Sequence, residues 1–320
     1  MELNKIQKQA LLGEINRGVI SHAYIIEGMA GVGKRSFAAL IAKAILCTGH
    51  SKPCGVCSSC RKCELDAHPD LHRYSTEGNS FKVDTVRELK RAVTLKPNEG
   101  TRAVYVLEKA DLMTVSAQNA LLKVFEEPPA GVSFLLLAEK KESLLSTVRS
   151  RGRVIMLSPV SDAEVEAALR ERFPKAKEAE LAEAVRLAEG SLGKGEAVLK
   201  KEGKAERDAA LKLCQAIYSH TDRYGLYSAF LGQMRKRDAL IPVMDALAIG
   251  ARDVLISKLA CGKTCLLDEE TAASFAESAV ASTLHGIFEA VLECGRSLRR
   301  NTDAGIAVTE LCTRITRVKG

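Results

Sequence analysis

The stretch that most restricts what this chain can fold into is Gly28-Met-Ala-Gly31-Val-Gly33-Lys34, set between the apolar run Tyr24 to Ile26 and the helical pattern Phe37, Leu40, Ile41, Ala44, Ile45. A GxxxxGK sequence in that setting predicts a strand, a tight glycine loop and a helix N-terminus. Backbone N–H groups of such a loop cradle phosphates while the lysine reaches their outer oxygens. The flanking sequence repeats the alternation, with further apolar runs at Val104 to Leu107, Phe134 to Ala138 and Val154 to Leu157. Continuous apolar strands alternating with amphipathic helices predict a parallel sheet covered on both faces, an α/β domain over residues 1–158.

The loop is damaged as a magnesium-nucleotide site. The motif asks for Ser or Thr after the lysine, to ligate magnesium, and the chain has Arg35 there. Ser36 comes one residue late, and one helical step turns a side chain by about 100°. The strand expected to complete the site ends Leu107-Glu108-Lys109-Ala-Asp111. An active ATPase of this type carries an Asp and then a Glu after the apolar run, one for the metal and one for the attacking water. Here Glu108 and Lys109 stand in those places; a lysine cannot act as the base, and its charge competes with magnesium. Two readings stay open: Gly28, Gly31, Gly33 and Lys34 bind ATP weakly without hydrolysing it, or they only hold a turn and a stray anion.

Ten cysteines are present, and five fall between Cys47 and Cys63. Thiolates at CxxC spacing converge on one tetrahedral zinc, and a second pair closes a structural site that supplies folding free energy and no catalysis. The module spans 47–63. Three successive two-residue gaps through Cys54, Cys57, Cys60 and Cys63 strain a single centre, so Cys47, Cys54, Cys57 and Cys60 are the favoured ligands. Cys63 is the alternative fourth ligand, and redox-active or merely reduced thiols are the plainer outcome. His50, His68 and His72 read as solvated or packed.

From Pro159 the strand signals stop. Ser161 and Glu164 form a capping box, and Val165, Ala168, Leu169 and then Leu181, Val185, Leu187 recur at helical spacing, predicting a small helical domain over 159–203. The charged stretch Lys200 to Asp208 precedes an all-α domain over 204–320. With 46% hydrophobic residues each part can fill a core. No run of about 18 apolar residues occurs and the N-terminus lacks a signal-peptide pattern, so a cytoplasmic chain without a membrane partner is expected. The net charge of +7 permits contact with nucleic acid, but 4% aromatic residues and no Trp argue against base stacking as the grip. The helix carrying Lys82, Arg87, Lys90 and Arg91 has Val83, Val86 and Leu89 inside, so its charges read more simply as a solvated face than as a zinc-dependent DNA-binding module.

In order, SHAYIIEG, GMAGVGK, the cysteine insertion, HPDL (His68 to Leu71), DLMTVSAQNALLKVFEEPP (Asp111 to Pro129) and TVRSRGR (Thr147 to Arg153) closely resemble the AAA+ clamp-loader subunits of bacterial replicative polymerases. The resemblance is strong over about 1–157 and weaker through GSLGKGEAVL, RDVLISKLA and SLRRNTDAGIAVTELC. It implies a P-loop AAA+-type domain with a zinc-binding insertion, a helical lid and a helical collar that mediates ring assembly. It also implies work beside gamma/tau and delta subunits in loading a sliding clamp onto primer-template DNA. Within the family the motor paralogue gamma/tau keeps an intact loop, whereas Arg35 and Lys109 match the paralogue with degraded motifs. The family's Ser-Arg-Cys motif supplies an arginine finger to a neighbour's ATP site. Ser150-Arg151 matches it, Gly152 replaces the Cys and predicts a looser loop, and Arg149 is the fallback. Active paralogues place a sensing arginine after GSL, where this chain has Gly193. The helix signature from Ser116 buries Ala117, Ala120, Leu121, Val124 and Phe125 and leaves Asn119, Lys123, Glu126 and Glu127 outside, which marks it mostly as packing.

Overall fold

The computed structural model describes residues 2–75, 83–219, 222–232 and 236–319. Lys82 lies outside them, as does the side chain of Val83. The described residues form two compact units, one of 1–168 with 190–193 and the other of 169–189 with 194–320.

In the first unit, α1 (Glu2–Asn16) precedes β1 (Ala23–Glu27), and the glycine loop leads into α2 (Lys34–Leu46). The cysteine module with α3 (Ser58–Glu64) is inserted before β2 (Leu71–Tyr74). Then follow α4 (Val83–Val93), β3 (Ala103–Leu107), α5 (Val115–Glu126), β4 (Val132–Ala138), α6 (Ser146–Arg149) and β5 (Arg153–Met156). The strands form one parallel sheet in the order β2-β3-β4-β1-β5, so β1 and its loop lie inside the sheet, with Ile25 opposite both Leu136 and Val154.

Strand alternation sorts the core into two layers. Tyr24, Ile26, Val104, Val106, Leu135 and Leu137 pack on one face with α1 and α2, and Ile25, Tyr105, Leu107, Phe134 and Leu136 pack on the other with α4 and α5. On α4, Val86, Leu89 and Val93 are buried while Arg87 and Arg91 are exposed. Thr114 caps α5, its hydroxyl accepting the Ala117 N–H at 3.2 Å. Ala117, Leu121 and Phe125 are buried as expected and Ala120 and Val124 partly so.

One strand expectation needs correction, and one strand was not expected. The apolar run at β5 implies cover on both faces, yet Val154 and Met156 are 40% and 49% exposed; β5 is an edge strand, with one neighbour instead of two. The other edge, β2, carries His72 and Arg73 and is half-buried throughout, so it shows no apolar run to read.

Beyond β5 the chain is helical among the described residues, with the start of α7 and the first residues of α9 counted in the first unit. The chain runs through α7 (Asp162–Arg172), α8 (Glu178–Ala188), α9 (Leu192–Leu199), α10 (Lys204–Ser219), α11 (Arg223–Phe230), α12 (Arg237–Leu259), α13 (Glu269–Glu277), α14 (Ala281–Arg299) and α15 (Ala304–Lys319). The capping box that opens α7 is formed, with the Ser161 N–H donating to Glu164 Oε2 at 3.1 Å and the Glu164 N–H to Ser161 Oγ at 3.4 Å. One core joins α10 to α15 through residues such as Phe230, Leu247, Ile287 and Val308. Among the described residues no helix is long and apolar enough to cross a membrane.

Candidate functional site

The glycine loop has the geometry its sequence predicts, with Gly31 and Gly33 at φ 74° and 101°, a region glycine enters freely. Its lysine, however, is turned inward. Lys34 Nζ donates to the carbonyls of Gly28 at 2.5 Å and Met29 at 3.0 Å, and burial pulls its pKa down. Two carbonyls of the loop are engaged from elsewhere in the same unit: the buried Ser191 hydroxyl donates to Ala30 O at 2.9 Å and the Gly193 N–H to Gly31 O at 3.0 Å. A Cβ on Gly193 would lie 2.9 Å from Gly31 Cα. Where the resemblance implies a sensing arginine, the fold has room only for glycine.

Beside the loop a cleft of about 560 Å³ is lined by the basic side chains of Lys34, Arg35 and Lys109 and the acidic ones of Glu108, Asp111 and Glu139. Arg35 Nη2 sits 2.5 Å from Glu108 Oε2, with the Arg35 side chain 70% exposed and that of Glu108 10%. The residue in the hydroxyl position and the residue in the metal-carboxylate position are thus paired with each other. With acids and bases balanced, the cleft offers a triphosphate little net attraction. Ser36 is exposed and does not line the cleft. Sequence reasoning identified the defects at Arg35 and Glu108 but missed their pairing, and it missed Glu139.

The cysteine module begins where α2 stops. Cys47, Cys54, Cys57 and Cys60 bring their Sγ atoms within 4.8 Å of one another, and the Cys47–Cys57 and Cys54–Cys60 pairs are each 3.9 Å apart. Tetrahedral thiolates at about 2.3 Å from zinc stand roughly 3.8 Å apart, so the cluster has the dimensions of a zinc centre and can hold a metal ion. Backbone N–H groups point at the sulfurs: Cys54 and Gly49 donate to Cys47, Cys57 to Cys54 and Cys60 to Cys57, at 3.3 to 3.4 Å. Gly49 must be small, since a Cβ there would come 2.9 Å from Cys54 Sγ. Burial opposes ionisation of Cys57, but hydrogen bonds led by the Cys60 N–H hold its thiol down at about 5, whereas burial pushes Cys60 up to about 12. Four thiolates this close repel one another, and a divalent cation is the charge that would let all four ionise. Cys63 stands outside the group; it is buried against the α1/α2 face of the sheet, its thiol pushed up to about 11 by that burial.

Arg151 lies in the turn between α6 and β5. Its Nη1 donates to Thr147 O at 2.9 Å and Ser150 Oγ at 3.3 Å, and its Nη2 to Glu126 Oε1 at 2.8 Å. Gly152 is not loose. A Cβ there would approach Ile25 Cδ1 to 2.8 Å, so the turn is pressed against β1 and glycine is what fits. Arg149 has a buried Nε with no hydrogen-bond partner, and Arg153 is paired with Glu14. Gln118, which the sequence did not single out, fixes this region: its Nε2 donates to Met113 O and Ser143 O at 3.1 Å each and its Oε1 accepts the Leu145 N–H at 2.6 Å.

The family model described as "DNA polymerase III, delta subunit" matches residues 3–161. The DNA polymerase III subunit delta' of Escherichia coli K12 is 35% identical over 234 residues, which cover 69% of this chain and 67% of that protein. The subunit delta' of Bacillus subtilis 168 is 34% identical over 175 residues, about half of either chain at 53% each. Among solved structures, a DNA polymerase III gamma subunit-related protein of Thermotoga maritima superposes over 98% of this chain and 100% of its own length with a TM-score of 0.52 at 16% identity, a likeness of fold. At 35% identity over about two thirds of the Escherichia coli subunit, the chain belongs to the DNA polymerase III delta-prime (delta') family.

Proposed function

We propose that this chain is a non-hydrolysing, stator-like subunit of a clamp loader, working with gamma/tau and delta subunits to place a sliding clamp on primer-template DNA in the cytoplasm. The observation that carries this reading is the Arg35–Glu108 pair, which sets a guanidinium at the position where the motif asks for a magnesium-ligating hydroxyl. With Lys109 in the catalytic carboxylate's place, ATP has neither its metal nor its base, and binding at Gly28, Gly31, Gly33 and Lys34 is weak at most. The cysteine cluster would hold Zn²⁺ as a structural ion through Cys47, Cys54, Cys57 and Cys60, adding rigidity to the module between α2 and β2. Arg151 would act in trans, its permanently charged planar fork stabilising phosphoryl transfer at a neighbour's intact site. On this reading residues 1–158, 159–203 and 204–320 serve as AAA+-type domain, lid and collar.

Co-purification of the tagged chain from its native cell tests the assignment. The delta and gamma/tau subunits are expected to come down with it; their absence from a tagged, zinc-loaded preparation would count against it. The motor reading is disfavoured by the paired cleft. The zinc-dependent DNA-binding reading draws no support from α4, whose basic residues face away from a buried Val86, Leu89 and Val93.

A further inference from the structure

Glu126 occupies the last turn of α5, and Glu127 follows it as the C-cap. The C-terminal end of a helix is where the macrodipole disfavours a carboxylate, so local helix energetics give no reason for an acid at this place. Its partner does: Glu126 Oε1 accepts from Arg151 Nη2 at 2.8 Å, while the backbone carbonyl of Thr147 takes the other terminal nitrogen. The two side chains are 46% and 34% exposed. An exposed pair of this kind fixes a long side chain in one rotamer, yet gives way to a partner of higher charge that offers several oxygens at once.

We propose that Glu126 is a positioning residue that holds Arg151 in a parked state and competes for its guanidinium with the phosphates of a nucleoside triphosphate on an adjoining subunit. The proposal rests on the reading of Arg151 as a finger acting in trans. While the carboxylate is in place the guanidinium is neutralised and tied to its own subunit. Engagement exchanges one carboxylate for phosphate oxygens, so assembly in the geometry favoured by clamp and DNA releases the finger, and the unstimulated complex stays slow.

The test uses the complex reconstituted with its gamma/tau and delta subunits and reads ATP turnover with and without clamp and primed DNA. Glu126→Gln keeps the shape and removes the charge. It is expected to raise unstimulated turnover at the served site by about 1.5- to 5-fold, the range an exposed pair supports, and to shrink the stimulation ratio by the same factor. The double variant Glu126→Gln/Arg151→Ala is expected to match Arg151→Ala alone. A merely structural role for Glu126 would lower assembly yield and leave the ratio unchanged. If Arg151→Ala lowers stimulated turnover while Glu126→Gln leaves the unstimulated rate unchanged or lower, the holding role is wrong and the finger stands. If Glu126→Gln raises turnover equally in the Arg151→Ala background, the holding role is also wrong. If Arg151→Ala changes nothing, the finger reading fails and this proposal fails with it.

Discussion

The nucleotide cleft and the cysteine module both carry the sequence marks of a ligand site, and they have reached opposite states. In the cleft several polar groups have internal partners: Lys34 on the carbonyls of Gly28 and Met29, Arg35 on Glu108, and the carbonyls of Ala30 and Gly31 under Ser191 and Gly193. In the module the donors converge on a common point, with sulfurs 3.9 Å apart and backbone N–H groups behind them. Residue types alone do not make a site. What matters is whether their charges are satisfied from within, as in the cleft, or left facing one another so that an ion can satisfy them, as in the module.

The largest effect that would break this contrast is at the metal. Cys57→Ser is expected to take bound zinc from one per chain to near none and to loosen the module, whereas Cys63→Ser should leave zinc content unchanged. Elemental analysis of chelator-washed protein reads both, and retention of zinc by Cys57→Ser would show that the four sulfurs are not the site.

Full internal pairing has a measurable scale in the second unit. Glu189 accepts from Arg252 Nη1 at 2.6 Å and from Lys194 Nζ at 3.0 Å. Burial pushes its carboxyl up, but these two cations overcome that and bring it from an ordinary 4.5 to about 2. A depressed folded-state value means that the pairing stabilises fully above about pH 4.5 and is lost as pH falls toward 2. Glu189→Gln should therefore cost about 3 kcal/mol at pH 7, shrinking below pH 4.5, in urea denaturation followed by circular dichroism. A cost independent of pH would assign the effect to packing.

Smaller effects sharpen the account of the cleft. Gly193→Ala forces a Cβ to 2.9 Å from Gly31 Cα, and about 1–3 kcal/mol of destabilisation is expected in the same denaturation experiment. Arg35→Ala removes a side chain that is 70% exposed, and stability should change by less than about 1 kcal/mol. Its informative readout is a fluorescent ATP analogue titrated with and without magnesium. Magnesium-dependent binding gained by this variant makes Arg35 the seal; unchanged weak binding places the seal at Ser191 and Gly193.

The loop, four of the five strands and the converging cysteines were legible because each depends on a short local pattern: glycines at fixed spacing, continuous apolar runs, CxxC turns. The remaining strand, β2, was not, since an edge strand half open to water carries His72 and Arg73 like a loop. Arg35 and Glu108 were each legible as a defect, but not as a pair, because 73 positions separate them and only the parallel order of the sheet brings the ends of β1 and β3 together. The grip of residues 191 and 193 on the loop was hidden for the same reason, and a glycine seen in sequence as a lost arginine is in the fold a close backbone contact. The spacing left Cys47 and Cys63 as alternatives; the geometry joins Cys47 to the cluster and sends Cys63 into the core.

The most direct measurement of the central claim is magnesium-dependent ATP turnover by the isolated, zinc-loaded chain, with Lys34→Ala alongside. Turnover no faster than background in both proteins is the expected result, since Arg35 stands where the motif asks for a hydroxyl and Lys109 where it asks for a carboxylate. Turnover by the unmodified chain that disappears in Lys34→Ala would contradict it and make this subunit a motor.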